Sequence, residues 1–316
     1  MKLSLAINPF TDERLRMAAQ LGIEGVTYYN MQGMLMALEE LQEAQVKARR
    51  NGVSITVVEG GPPIGHSVAG RPERDTEIEA YQNALRAMGE TGISTLCYNF
   101  MPQVTEDAMV IRTSRQTPER GGALTTAFNL ETFEKNPLQH DEPDLSDSEA
   151  WDHFFYFLDR VLPVAEDAGV NLALHPADPP ISPLCGLARI GSSIDDYEKL
   201  FSAFPSPANG MTFCQGCFGE LGADLPDLIR HFGPRIHYAH FRDIRGSLHD
   251  FVETFPDNGQ TDLLALFQAY REIGYTGFLR PDHAPQLATE SGENHGYGIQ
   301  GHIFTLGYLK GWIDAL

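Results

Sequence analysis

The chain has 316 residues, of which 42% are hydrophobic, enough to bury a sizeable core, so disorder is not its default state. Acidic residues outnumber basic ones by 43 to 23, a formal charge of -20 that repels a phosphate backbone and argues against nucleic acid as a partner. There is no run of about 18 apolar residues to span a membrane, and the N-terminal stretch is too short and too soon charged for a secretory signal. The four cysteines, Cys97, Cys185, Cys214 and Cys217, do not amount to a disulfide scaffold in a chain of this size. A reduced, cytoplasmic protein is the simplest expectation. The same charge repels an acidic small molecule at long range, so an acid substrate needs a local cation to hold it.

Taken in chain order, a short apolar run at 3–7 is followed by a helix, and a second run at 25–29 by a helical stretch at 35–50. Runs at 54–58 and 94–98 flank a helix at 77–92, and the helix at 151–168 leads to a run at 170–174. Helices at 193–204, 224–232 and 262–273 then separate runs at 210–213, 235–239 and 276–279, and a helix at 297–316 closes the chain. Eight strand candidates alternating with helices predict the α/β class, as a single (β/α)8 TIM barrel over residues 1–316. The alternative, an open doubly wound sheet, lacks its G-x-G-x-x-G after the first strand. The longest irregular segment, 100–148, contains Pro102, Pro118, Gly121, Gly122, Pro137 and Pro143. It follows the fourth strand, which in a barrel puts it on the catalytic face, and it reads as a lid or substrate loop.

The strand ends carry the chemistry. The fifth run leads into His175, the sixth into Cys214, the seventh into His240 and the eighth into Asp282. A barrel gathers its strand C-termini around one mouth. Singly, a histidine at a strand end is more often structural and a cysteine more often packing. Four ligating types at four successive strand ends predict one divalent metal site, suited to Mn, Fe, Co, Ni or Zn. Cys214 and Cys217 form a C-x-x-C with no second pair at zinc-ribbon spacing, so Cys214 reads as ligand and Cys217 as packing. His283, beside Asp282, suits general acid or base work, against the plainer role of orienting Asp282. Tyr297, between Gly296 and Gly298 at the start of the last helix, can lean into the mouth or be a core aromatic. Arg242 and Arg280 flank the last two strand ends. They can clamp a substrate carboxylate or pair with Asp243 or Asp282.

At these residues the sequence resembles the mannonate dehydratase family. The matching stretches are Tyr98-Asn99-Phe100-Met101-Pro102, His175-Pro176-Ala177-Asp178-Pro179-Pro180, Gly186-Leu187-Ala188-Arg189, Phe213-Cys214-Gln215-Gly216, His240-Phe241-Arg242-Asp243, Arg280-Pro281-Asp282-His283 and Gly296-Tyr297-Gly298. The resemblance implies a xylose-isomerase-like barrel. It implies Mn2+, Fe2+ or a similar divalent transition ion on His175, Cys214, His240 and Asp282. It implies catalytic roles for His283 and Tyr297, with Asn99, Arg242 and Arg280 expected at the substrate. The chain departs from the family pattern at Ala177, where an acidic residue is usual, and at Met109-Val110-Ile111 before Arg112-Thr113, where a Trp is usual.

The reaction so implied removes water from D-mannonate to give 2-keto-3-deoxy-D-gluconate. One group takes the C2 proton and another protonates the departing C3 hydroxyl, and His283 and Tyr297 are expected to share those roles. The rivals are a sugar isomerase or epimerase on the same barrel, a dehydratase of a related aldonate, a barrel endonuclease (disfavoured by the charge) and a metal-dependent binding protein without turnover. A small sugar acid is the expected partner, with no membrane. A homo-oligomer is compatible with the sequence.

Overall fold

The computed structural model describes residues 1–30, 33–102, 110–290 and 296–315. Met109, the rest of 103–109 within the long segment, and Leu316 of the closing helix lie outside the described residues. Twelve strands are formed among the described residues: β1 Lys2–Ile7, β2 Gly25–Tyr29, β3 Ser54–Glu59, β4 Thr95–Tyr98, β5 Ser114–Pro118, β6 Leu124–Asn129, β7 Asn171–Leu174, β8 Asn209–Cys214, β9 Ile236–Phe241, β10 Asp243–Ser247, β11 Asp250–Thr254 and β12 Phe278–Pro281. Eight of them close a parallel barrel in the order β1-β12-β9-β8-β7-β4-β3-β2. Each of the eight predicted runs is one of these strands, displaced by two residues at most.

The strands are apolar on both faces because one side meets helices and the other fills the barrel. Inside, Val57, Cys97, Ala173 and Tyr238 pack together. Below them Tyr238 Oη lies 2.6 Å from Thr27 Oγ1, which is 3.1 Å from Ser4 Oγ, so the lower end is plugged. Outside, the helices bury one stripe each. The helix Asp147–Ala168 shows how the sequence sets this up. Ser146 and Glu149 form a capping box at its start, and Gly169, at φ +68°, ends it. Trp151, Phe154, Phe157, Leu158 and Val161 face the barrel between those ends.

The segment 100–148 differs from the prediction. Its described part is irregular only in places, chiefly over 136–146. It holds β5, β6 and a helix at Leu130–Lys135. With β10 and β11 these strands build a second, antiparallel sheet in the order β10-β11-β6-β5. The sheet has its own apolar cluster of Ile111, Phe128, Phe133, Leu184, Ile244 and Phe251. Half of it comes from residues 114–129 and half from 243–254. Neither half has a long apolar run, and the alternation is broken by buried charge, so the pattern was invisible until the two were brought together.

Candidate active site

Register places the site residues. Cys214 at the end of β8 pairs with His240 of β9, and His240 pairs with Arg280 of β12, two residues before Asp282. His175 follows β7, its N–H donating to the carbonyl of Tyr98 at the end of β4. One ligating atom from each of His175, Cys214, His240 and Asp282 lies within 4.8 Å of the others. His175 Nε2 is 3.1 Å from His240 Nδ1, Cys214 Sγ is 3.7 Å from Asp282 Oδ2, and His240 Nδ1 is 3.6 Å from Asp282 Oδ1. Bonds of about 2.0–2.3 Å to one ion span such separations. Two imidazoles, a thiolate and a carboxylate fit a divalent transition ion better than Mg2+ or Ca2+.

The electrostatics agree with that fit. Burial pushes the Cys214 thiol up, but the hydrogen bond with Cys217 and the Arg242 guanidinium outweigh it and hold it well below the usual thiol range. Burial lowers His175, yet the hydrogen bond and charge of Cys214 lift it to about 9. Asp282 is opposed by burial but kept well below the usual carboxylate range by His283, Arg280, His240 and Arg242. A thiolate and a carboxylate as close as Cys214 and Asp282 form a donor pair that a cation would hold.

The arginines are placed at the mouth but do not face open space. Arg280 donates from Nε and Nη2 to the Glu59 carboxylate, at 2.9 and 2.6 Å, and Nη2 is 3.1 Å from Asp282 Oδ1. Burial raises Glu59, but Arg280 and His240 bring it down to about 2. Arg242 donates to Asp178 at 2.8 Å, Glu253 at 2.6 Å and Glu220 at 3.1 Å, and its Nη2 is 3.1 Å from Cys217 Sγ. A Cβ at Gly216 would collide with that guanidinium. Of the pairings expected from sequence, Arg280 does pair with Asp282, while Asp243 turns instead to Thr261, 2.9 Å from its hydroxyl.

His283 and Tyr297 meet directly, His283 Nε2 lying 2.7 Å from Tyr297 Oη. The turn at Gly296, with φ +92°, delivers the phenol just ahead of the helix Ile299–Ala315. Burial, reinforced by Tyr29 and Asp282, pushes Tyr297 well above the usual phenol range, so it keeps its proton. Asn99 Nδ2 is 3.5 Å from His175 Nδ1 and lines a cleft of about 350 Å3 with Asn30, Gly61 and Met101.

Four charged residues that hold this site together carry no strand-end role in the sequence reading: Glu59, Arg112, Asp178 and Glu253. Arg112 donates to both Asp178 oxygens, at 2.6 and 2.9 Å, and to Glu253 at 2.6 Å. Glu59 had a usable signal, since it ends β3 as the ligands end theirs. Asp178 sits in a motif already quoted. Glu253 had only a faint one, an acidic residue at an inward position beside Phe251.

The closed barrel, with four side chains able to hold a metal ion at its C-terminal mouth, defines the class as the xylose-isomerase-like (β/α)8 barrels. D-psicose 3-epimerase, solved in the presence of D-fructose, shares it at a TM-score of 0.64 over 98% of this chain and 97% of that one; at 12% identity this is a likeness of fold alone. The family described as D-mannonate dehydratase (UxuA) matches residues 9–142 and 134–316. Mannonate dehydratase 2 of Halalkalibacterium halodurans is 34% identical, covering 93% of this chain and 92% of that protein. Mannonate dehydratase of Shouchella clausii is 32% identical over 93% and 90%. The crystal structure of mannonate dehydratase from Streptococcus suis serotype 2 superposes with a TM-score of 0.89 at 27% identity, covering 100% of this chain and 94% of that one. The chain belongs to the mannonate dehydratase family.

Proposed function

We propose that this protein is a metal-dependent hydro-lyase that dehydrates D-mannonate to 2-keto-3-deoxy-D-gluconate. The observation that carries the reading is the convergence of His175, Cys214, His240 and Asp282 within 4.8 Å, next to the hydrogen-bonded pair His283 and Tyr297. A divalent ion on those four residues, Mn2+ or Fe2+ first, would stabilise the negative charge that develops on the substrate carboxylate as C2 loses its proton. His283 and Tyr297 are the groups within reach of each other to remove that proton and to protonate the departing C3 hydroxyl. The enol that remains becomes the ketone without further help.

Arg242 and Arg280, engaged by protein carboxylates, act here by neutralising an acidic mouth that would otherwise repel a sugar acid. Asn99 is assigned to the substrate side. The sheet of β5, β6, β10 and β11, with the segment 100–148, serves as the cover of the site within one barrel domain. No helix among the described residues is long and apolar enough to cross a membrane, and a catabolic role in the cytoplasm fits the reaction. The test is incubation of the Mn2+-loaded protein with a panel of aldonates, followed by identification of products. A 2-keto-3-deoxy acid from D-mannonate is expected. An epimer with no loss of water would replace this reading by its isomerase rival.

A further inference from the structure

Glu253 lies on the β10–β11 hairpin, opposite Ile244, and its side chain is 1% exposed. Oε2 accepts from Thr126 Oγ1 at 2.6 Å. Oε1 accepts from Arg112 Nη2 and Arg242 Nη1, each at 2.6 Å, and lies 2.8 Å from His283 Nδ1. A carboxylate flanked by two guanidinium groups only accepts. A ring nitrogen 2.8 Å away must therefore carry its proton, since a lone pair there would face another lone pair. Arg242 Nη1 is 3.4 Å from the same nitrogen, but it is a donor, longer and already spent on Glu253 and Asp178. With Nδ1 protonated, the neutral ring presents a lone pair at Nε2. The phenol of Tyr297, 2.7 Å away, is then the donor in that bond.

We propose that Glu253 is the positioning carboxylate of His283: it fixes the Nδ1–H tautomer, which makes His283 the base at C2 and Tyr297 the acid at C3. The inference rests on the acid–base reading given above and adds a direction to it. The proton balance closes. The C2 proton passes to Nε2 and its electron pair forms the C2–C3 double bond. The C3–O bond breaks, and the hydroxyl leaves as water with the Tyr297 proton. The imidazolium, steadied by Glu253, then returns its extra proton to the phenolate and resets the pair. Thr126 of β6 and Arg112, two residues before β5, hold Glu253 in place, so the second sheet contributes a part of the machinery that no barrel strand supplies.

The test uses protein labelled with 15N-histidine and loaded with diamagnetic Zn2+. The His283 resonances are assigned by their absence in His283→Asn. The expected wild-type spectrum has a proton on Nδ1 and none on Nε2; an Nε2–H ring overturns the proposal. Glu253→Gln keeps the shape, and the two arginines still select the amide oxygen, so the tautomer is expected to persist without the charge. Its kcat should fall by about 10–100-fold with KM nearly unchanged and full metal content. Wild-type kcat, or loss of metal, overturns the proposal. Glu253→Ala should release the ring into the other tautomer; if that variant does not fold, the Gln variant carries the test. The spectrum is read without substrate, so a fully active His283→Asn would sink the acid–base reading while leaving the tautomer result standing.

Discussion

The barrel mouth and the sheet above it are built on different terms. The mouth is local: each candidate ligand sits at the end of its own strand, and the parallel register of the closed barrel does the rest. The sheet is collective. Arg112, Asp178, Arg242 and Glu253 come from four separate places in the chain and are each 3% exposed or less in their side chains. None has a chemical purpose alone; together they neutralise one another in a space from which water is excluded. The comparison teaches that side chains at strand ends can be gathered by topology, whereas a buried charge cluster is assembled by tertiary contact.

The sharpest way to break this division is at His283 and Tyr297, which lie where the two regions touch. His283→Asn and Tyr297→Phe are each expected to lose about 10²–10⁴-fold in turnover while keeping the metal. Exchange of the C2 proton with deuterated solvent separates them. It should stop in the histidine variant and persist in the tyrosine variant. Equal loss of metal in both would place them on the ligand side of the division. Next in size is Arg112→Ala, which leaves the buried carboxylates of Asp178 and Glu253 to share the Arg242 guanidinium. Removal of one partner from a buried ion network costs about 3–5 kcal/mol. Chemical denaturation should show that loss, and an unchanged midpoint would mean that the sheet is not held by its charges.

Cys214→Ala probes the mouth alone. It removes the proposed soft ligand and should lower affinity for transition ions, seen as metal content of the purified protein falling while the fold is kept. Full metal and full activity together would end the four-ligand site. The relative legibility of the two regions explains why this variant was foreseeable and Arg112→Ala was not. All eight barrel strands, the four candidate ligands and the pair His283 and Tyr297 stand out from strand ends, residue type and family motifs. The antiparallel sheet did not, because β5 is Ser-Arg-Gln-Thr-Pro and β10 is Asp-Ile-Arg-Gly-Ser, sequences that read as loop until they are paired. The segment 100–148, read as irregular for its prolines and glycines, uses Gly121 and Gly122 at positive φ to turn between β5 and β6.

Acid should separate the regions more gently. Burial opposes ionisation of Asp178 and Glu253, but their neighbours outweigh it: the Arg112 and Arg242 guanidiniums for Asp178, and for Glu253 the His283 ring that donates to it, then the same two arginines. Both carboxyls are held below their ordinary values of 3.8 and 4.5. Their folded state binds fewer protons than the unfolded one, so their contribution is complete above about pH 4.5 and drains away as the pH falls below it. Glu220 has the opposite sign. Burial and the charge of Asp178 raise it, so its contribution belongs to low pH and fades as the pH rises through its folded value. Denaturation of metal-free protein between pH 6 and 3 should show falling stability, and Glu253→Gln should flatten part of the slope. A slope identical to wild type would mean that Glu253 binds its proton equally well in the folded and unfolded chain, and a steeper one that it is protonated in the folded protein.

The smallest effect is expected far from both regions, and it calibrates the rest. Arg50 and Asp12 form an ion pair at 2.7 Å with side chains 59% and 40% exposed. Its geometry matches that of Arg112 with Asp178, at 2.6 Å between side chains 0% and 3% exposed. Distance alone would rank the two as equals. Solvent decides otherwise. Water and salt screen the exposed charges, each side chain loses freedom when the pair forms, and either partner is well hydrated without the other. Arg50→Ala is therefore expected to leave the denaturation midpoint and the activity within experimental scatter. A loss comparable to that of Arg112→Ala would mean that burial is not what gives the sheet its strength, and that the helix Asp12–Gln20 depends on the Arg50 contact for its docking.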